Sequence, residues 1–213
     1  MNPDQLLQLA IALPIFVMSL TLHEFAHAQM ALRLGDDTAA LLGRTSLNPL
    51  RHLDPVGSVL MPILGFFSGF VFGWAKPVPM MVRKLRGGMR DVALVAAAGP
   101  AANLVLLVIF AVVLRVLLVS AGLFPPQVSE ILLRASSFGV TINALLMVFN
   151  LLPLPPLDGS KVAAYFLPVP AARQLLSLPQ GASMVLLLVV VGSGALDPLL
   201  GFVNGAVLAF ARP

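Results

Sequence analysis

The sequence contains no cysteine and very little charge. Its 213 residues are 59% hydrophobic and only 10% charged, and the charged residues cluster between long apolar stretches. The absence of cysteine excludes disulfide bonds. A soluble domain of this size needs far more surface charge, so the composition predicts a polytopic membrane protein.

Four basic residues share one short segment between apolar runs: Arg83, Lys84, Arg86 and Arg90. The formal net charge of +4 raises the question of nucleic-acid binding. A basic cluster beside an apolar run is instead typical of a cytoplasmic loop of a membrane protein. We therefore expect this protein to lie in the lipid bilayer and not to bind nucleic acid.

The sequence also lacks a recognisable signal peptide, a low-complexity linker and an internal repeat. No cationic region precedes the first apolar run, and that run is too long for a signal peptide, so we expect it to remain in the mature protein. A single membrane domain is expected over residues 1–213. Its core is predicted at about 5–165, and further membrane helices at about 180–211.

Long apolar stretches predict an all-α fold. The first stretch, residues 5–33, would form a helix roughly 43 Å long at 1.5 Å per residue, enough to cross a hydrocarbon core of about 30 Å. Further helices are predicted at residues 92–119 and 130–151, followed by a short helix to about residue 167 and a stretch over 181–211 broken near Gly192 to Pro198.

The apolar segment at residues 55–75 is the ambiguous part of the topology. The positive-inside rule places the basic loop at 76–91 in the cytoplasm, so the helix at 130–151 returns to that side. If residues 55–75 crossed the membrane, the first helix would end on the opposite side. We favour a re-entrant or hairpin segment, because its glycines and proline suit irregular backbone buried against protein.

The first helix carries two histidines and a glutamate in the sequence HEFAH. His23 and His27 are four residues apart and share one helix face, while Glu24 lies about 100° around the helix from His23. In such an HExxH arrangement two imidazoles bind zinc and the glutamate acts as a general base. The alternative is two histidines that merely fall near a helix end, but burying three such groups in a membrane is costly unless they pair or bind metal.

A catalytic zinc site needs a third protein ligand, and two residues are candidates. His52 is the only other histidine and lies in the polar connection at residues 34–54. Asp158 follows the helix at 130–151, which ends on the same side as the first helix in the topology above. The prolines and Gly159 could fold Asp158 back toward His27.

Three segments resemble the signatures of the site-2 protease family of intramembrane zinc metalloproteases: HEFAH at 23–27, GPAAN at 99–103 and NLLPLPPLDG at 150–159. Two further segments, SLNPLRHLDPVG at 46–57 and GWAKPVP at 73–79, resemble the compact members that lack a PDZ domain. The resemblance covers roughly residues 15–165. It implies a three-helix catalytic core made of the helices at 5–33, 92–119 and 130–151.

The resemblance also implies the chemistry. His23, His27 and Asp158 would bind one Zn²⁺ per chain, and Glu24 would be the catalytic acid and base. The substrate would be the transmembrane helix of another membrane protein, cleaved at the cytosolic side of the cell membrane. Asn150 is expected to face the active site and stabilise the developing oxyanion, unless it is a helix-end residue that bonds to backbone.

Several polar residues have less specific interpretations. His52 would be an auxiliary group near the site, a third zinc ligand or a solvated loop residue. Asn103 and Asn143 are expected to form hydrogen bonds between helices. Lys76 lies in a predicted edge strand or turn, of a kind suspected in this family of pairing with unwound substrate. Arg115 is expected to reach the outer membrane interface and to have no functional role.

The main rival function is a transporter or metal-handling membrane protein, whose histidine and aspartate would bind a translocated ion. A transporter has no need of a base at Glu24, and the chain shows no inverted repeat. An inactive scaffold that keeps the fold is a second alternative, although the expected catalytic residues are present. The sequence leaves the substrate and the oligomeric state open.

Overall fold

The computed structural model describes residues 3–68, 73–120 and 122–211, and all regular secondary structure within these ranges is helical. The fold is therefore the predicted all-α polytopic membrane protein. The helices are α1 (Pro3–Arg33), α2 (Thr38–Leu41), α3 (Met61–Ser68), α4 (Met89–Val119), α5 (Pro126–Asn150), α6 (Asp158–Phe166), α7 (Val169–Leu176), α8 (Gln180–Gly192) and α9 (Asp197–Ala211), with a π-helical turn at Pro55–Leu60 and 3-10 turns at Pro49–Arg51 and Val82–Lys84.

Three helices, α1, α4 and α5, are long and apolar enough to cross a membrane. They pack against one another and match the three predicted core helices closely. The outer side of α4 exposes Val105, Ile109 and Val116. Exposed aliphatic side chains at helical spacing suit contact with lipid, which removes the cost that water would impose on them.

The ambiguous segment at residues 55–75 forms a hairpin in the part that the structure describes. The π-helical turn and α3 form its first part, and Trp74 near its end donates a backbone hydrogen bond to the carbonyl of Gly57 at 3.0 Å. A Cβ on Gly57 would overlap the indole of Trp74, so this close approach needs glycine. Because the two ends of the segment are bonded together, they cannot lie on opposite sides of a membrane.

The core contains three clusters of mostly aliphatic side chains. One joins the end of α1 to the start of α4, and the two others involve α5. Of these two, one joins α4, α5 and α9 through Leu107, Val140 and Val207. The other joins α1 to α5 through Phe16 and Ile142. The helix α9 is thus part of the packed bundle and not a separate appendage.

The structure refines several local expectations. The edge strand or turn expected around Lys76 has neither strand pairing nor a turn. The amides of Trp74, Lys76 and Val78 all bond to the protein, which is the alternation of an extended chain, and residues 74–78 are called the extended segment. Arg115 donates to the carbonyl of Phe210 and lies over its ring at 5.1 Å, so it binds the end of α9. The helix α7 was not expected from the sequence, and it meets α8 at an angle of 87°. The predicted break in the last apolar stretch lies between Gly192 and Asp197.

Candidate metal centre

Three side chains from two distant parts of the chain meet between α1, α4 and α6. His23 Nε2 and His27 Nε2 are 3.0 Å apart, and Asp158 Oδ2 lies 3.3 Å from the first and 3.1 Å from the second. All three side chains are buried. A tetrahedral zinc ion with bonds of about 2.0–2.1 Å holds its ligand atoms roughly 3.3 Å apart. The triangle therefore has the dimensions of three ligands to one ion.

The protonation of His27 supports a cation at this position. Its Nδ1 lies 2.7 Å from the backbone carbonyl of Val95. A carbonyl oxygen only accepts hydrogen bonds, so Nδ1 carries the proton and Nε2 of the neutral ring is a lone pair. That lone pair and the carboxylate of Asp158 would repel each other unless a proton or a metal cation lies between them. The residues present thus fit a metal ion.

Gly99 makes room for the two imidazoles. A Cβ at this position of α4 would overlap His27 Nε2 and would lie 2.6 Å from His23 Nε2. Real Cβ atoms do not approach other heavy atoms so closely. The glycine of the GPAAN segment therefore forms the wall of the site as well as a close helix contact.

Asp158 is brought to the site by a tight reversal of the chain after α5. It is the first residue of α6, which packs against α4. A Cβ on Gly159 would overlap the carbonyl of Leu151, so the reversal requires glycine. Lys161, one helical turn further on, binds the second carboxylate oxygen, Asp158 Oδ1, at 3.2 Å. The other oxygen, Oδ2, remains directed at the histidines.

Glu24 lies beside the two histidines and accepts a hydrogen bond from the backbone N–H of Val78 at 3.2 Å. Val78 belongs to the extended segment that follows the hairpin. The side chain of Arg44 holds the same segment through the carbonyl of Lys76. Burial lowers the pKa of Arg44, and the negative charge of Glu24 acts in the opposite direction.

A cavity of about 610 Å³ connects these groups. Its lining includes Glu24, Trp74, Asn150 and Lys161, and Met184 and Leu187 of α8 close part of its rim. A space of this size is large enough for several residues of an extended peptide and for water.

Asn150 lines the cavity and also makes a local bond. Its Nδ2 donates to the carbonyl of Leu146 at 2.9 Å, one turn earlier in α5. Its other amide hydrogen and its Oδ1 have no partner among the described residues. Both of the expected roles of Asn150, cavity group and helix-end residue, are therefore compatible with its position.

His52 is fully buried, so the expectation of a solvated loop residue is wrong. Its Nε2 bonds to the carbonyl of Ser46 at 2.6 Å, and its own carbonyl accepts from the amide of Lys76 at 2.8 Å. It is not part of the group that meets at Asp158. His52 anchors the base of the extended segment, because it connects the polar loop to that segment.

The sequence did not indicate three of these contacts. His23 Nδ1 lies 2.6 Å from Asn103 Oδ1, which was expected only to bond between helices. Lys161 could have been found from its spacing of three residues from Asp158 on a short helix. The Val78 amide leaves no signal in the sequence, because every residue except proline has a backbone N–H.

The fold and the site together define a class of protein: a helical membrane protein with a candidate metal site made of two histidines and an aspartate. The chain is 36% identical over 197 residues to "Putative zinc metalloprotease YwhC" of Bacillus subtilis (strain 168). The matched region covers 90% of this chain and 86% of that protein. The chain therefore belongs to this family of zinc metalloproteases.

Two further relatives share the name and are matched over a shorter length. "Putative zinc metalloprotease Rip2" of Mycobacterium tuberculosis (strain ATCC 25618 / H37Rv) is 33% identical over 68% of this chain and 52% of that protein. "Putative zinc metalloprotease MJ0611" of Methanocaldococcus jannaschii is 33% identical over 47% of this chain and 49% of that protein. No family model and no solved structure matches the chain.

Proposed function

We propose that this protein is an intramembrane zinc metalloprotease of the site-2 type, which hydrolyses a peptide bond in or near the transmembrane helix of another membrane protein. One observation carries the proposal: three potential metal ligands converge beside a glutamate, in a cavity lined by the three long helices together with residues 73–80, α6 and α8. The names of the relatives support the choice of zinc and of proteolysis.

His23, His27 and Asp158 would hold one zinc ion. Zinc bound there would lower the pKa of a coordinated water toward about 7 and polarise the scissile carbonyl. Glu24 would accept the proton of the attacking water on its carboxylate and then pass it to the leaving amine. The Val78 N–H holds one oxygen of this carboxylate, so the other oxygen is free to face the substrate.

The extended segment after the hairpin would position an unwound substrate. The amides of Trp74 and Lys76 already bond to the protein, as does the amide of Val78. In an extended chain the neighbouring peptide groups face the other way. A substrate strand would therefore pair with Ala75 and Pro77, and the proline offers only its carbonyl as an acceptor.

Asn150 would stabilise the negative charge that develops on the scissile carbonyl, using the amide hydrogen that Leu146 does not bind. Loss of one such donor typically costs about 10²–10³ in kcat. Asn150→Ala should therefore lower kcat strongly at unchanged zinc content. Unchanged cleavage would leave Asn150 as a helix-end residue.

The active site would face the cytosolic side of the cell membrane, because the exposed basic residues Arg83, Arg86 and Arg90 lie at that end of the bundle. The chain has no native cysteine, so a single reporter can be introduced at Val82, which is 48% exposed. Val82→Cys should react with a membrane-impermeant thiol reagent only from the cytosolic side. Labelling from outside would reverse this orientation.

A transporter that binds its ion at the same three ligands is the competing function. Transport would not require Glu24, which lines the cavity beside the ligands. Cleavage of a model transmembrane substrate by purified protein therefore separates the two functions.

The decisive variant is Glu24→Gln, which keeps the size of the side chain and removes the base. We expect cleavage to fall by more than about 10² while the zinc content stays near one per chain. The chain has only one other glutamate, so Glu130→Gln is a matched control. Glu130 is exposed and pairs with Arg134, and its loss should change neither quantity. Full cleavage by Glu24→Gln would contradict the proposal.

A further inference from the structure

A chain of buried amides crosses the three core helices and ends on the metal centre. Asn143 of α5 contacts Asn103 of α4, and Asn103 contacts His23 of α1. Asn103 and Asn143 are fully buried, and His23 is 4% exposed. We propose that Asn143 and Asn103 are positioning residues that fix the ring protonation of His23, so that its Nε2 is a lone pair for the metal. This inference rests on the proposed metal centre.

The direction of each hydrogen bond between these side chains can be worked out from the end of the series that lies farthest from the metal centre, at Asn143. Asn143 Nδ2 donates to the backbone carbonyl of Gly139 at 2.8 Å, and a carbonyl cannot donate in return. The second hydrogen of the same Nδ2 faces the hydroxyl of Ser19 at 3.0 Å. Asn143 Oδ1 must then face the other way, toward Asn103.

The next two bonds leave no choice of direction. Asn103 Nδ2 donates to Asn143 Oδ1 at 2.9 Å, because an oxygen in that position only accepts. Asn103 Oδ1 therefore faces His23 Nδ1 at 2.6 Å as an acceptor. His23 Nδ1 must therefore carry a ring proton. In the neutral ring, the form that binds a metal, the lone pair is then on Nε2 and faces His27 and Asp158.

Burial gives this arrangement its strength. A misdirected amide would place two donors or two acceptors in contact where no water can reach, and would leave buried polar groups without a hydrogen-bond partner. The partner of a metal-binding imidazole usually fixes both the ring proton and the ring orientation, and its loss costs about 10–100-fold in metal affinity. Here the partner of His23 is Asn103, and Asn103 is itself oriented by Asn143, which does not contact His23.

The first test measures the ring protonation of the metal-free protein by ¹⁵N NMR of labelled histidine. The chain has only three histidines, and His27 is an internal reference because the Val95 carbonyl sets its protonation. We expect His23 to be protonated at Nδ1. A wild-type His23 ring with its proton on Nε2 and none on Nδ1 would overturn the inference without any variant having to fold.

The second test uses Asn143→Leu, which leaves Asn103 without its acceptor. The freed amide can then turn its Nδ2 toward His23, which would move the ring proton to Nε2. We expect zinc affinity, measured by competition with a chromogenic chelator, to fall about 10-fold. An unchanged His23 ring and a zinc affinity within twofold of wild type would contradict the inference.

Asn143→Asp is the conservative rescue. A buried carboxylic acid is held neutral, so its carbonyl can accept from Asn103 while its hydroxyl donates to Gly139. We expect zinc affinity to return to within about threefold of wild type.

Ser136→Ala is the matched control on α5. Ser136 is also buried, but among the described residues its hydroxyl bonds to the Leu132 carbonyl of its own helix and to no other group. This variant should change neither the ring protonation nor the affinity. If wild-type protein binds no zinc, the proposed function fails, whereas the ring protonation still decides this inference.

Discussion

Two buried aspartates in this protein, Asp36 and Asp158, differ in the groups that their carboxylate oxygens contact. Asp36, in the loop after α1, accepts backbone N–H bonds from Thr38 at 3.0 Å and from Met81 at 2.6 Å. Asp158 instead directs one oxygen at the ring nitrogens of His23 and His27. The first carboxylate is satisfied by donors within the fold. The second faces two imidazole nitrogens that can themselves bind a metal ion, and therefore fits a metal site.

The comparison shows how burial separates a structural group from a candidate functional one. A buried carboxylate is expensive unless donors or cations surround it. Asp36 joins the loop after α1 to the start of the basic segment, so its role is complete without a ligand. Among the described residues, the other oxygen of Asp158 contacts Lys161, which is partly exposed, so solvent screens this pair.

The largest effect is expected from Asp158→Ala. Loss of a direct ligand should weaken zinc binding by more than the roughly 10–100-fold seen when an outer partner is lost. The purified variant should contain almost no zinc and show no cleavage, while its helical circular dichroism is retained. His52→Gln is the comparison, because His52 lies outside the group at Asp158. If His52→Gln lost zinc and Asp158→Ala kept it, the third ligand would be His52.

A smaller but still large effect is expected from Gly99→Ala. The added methyl would overlap His27 and press on His23, so at least one ring must move. We expect zinc affinity to fall about 10-fold or more, as for other losses of ligand orientation. Gly201→Ala in α9 is the control, because a Cβ there meets open space. Equal zinc affinity in Gly99→Ala and Gly201→Ala would contradict this prediction, because it would show that the site accommodates the added methyl group.

The smallest effect is expected from Asp36→Asn, and it concerns stability alone. Burial would raise the pKa of Asp36, but the hydrogen bonds from Thr38 and Met81 lower it below its usual value. A carboxyl group with a lowered pKa in the folded state stabilises the protein above its unfolded pKa of about 3.9, and this stabilisation is lost as the pH falls through the folded-state pKa.

We therefore expect Asp36→Asn to lower the thermal midpoint at pH 7 by an amount equivalent to about 1–3 kcal/mol, with unchanged zinc content. The difference from wild type should shrink below about pH 4. Asp37→Asn is a matched control one residue away, since Asp37 is exposed and pairs only with Lys84. A larger loss in Asp37→Asn, or a loss of zinc in Asp36→Asn, would remove the contrast between the two aspartates.

The periodic features of the molecule could be predicted from the sequence. The three long apolar helices were found because about 20 apolar residues are needed to cross a bilayer. The shared face of His23 and His27 followed from their spacing on a helix. The hairpin was favoured over a span on the basis of glycines and one proline, and the bonded ends at Gly57 and Trp74 agree with it.

The contacts around these features could not be predicted in the same way. His52 was left open between three roles, and only its position shows that it is buried beneath the segment of Lys76. The helix α7 has an apolar and a polar side but is only eight residues long, which is too short for a firm periodic signal.

The sequence by itself determined that this protein is a helical membrane protein with two histidines and a glutamate on one turn of its first helix, because helix periodicity and hydrophobicity are local properties. The tertiary structure decided that Asp158, 131 residues after His27, meets those histidines, and that Asn103 faces the outer nitrogen of His23. Such contacts depend on how helices pack side by side, and packing is determined by the whole chain at once.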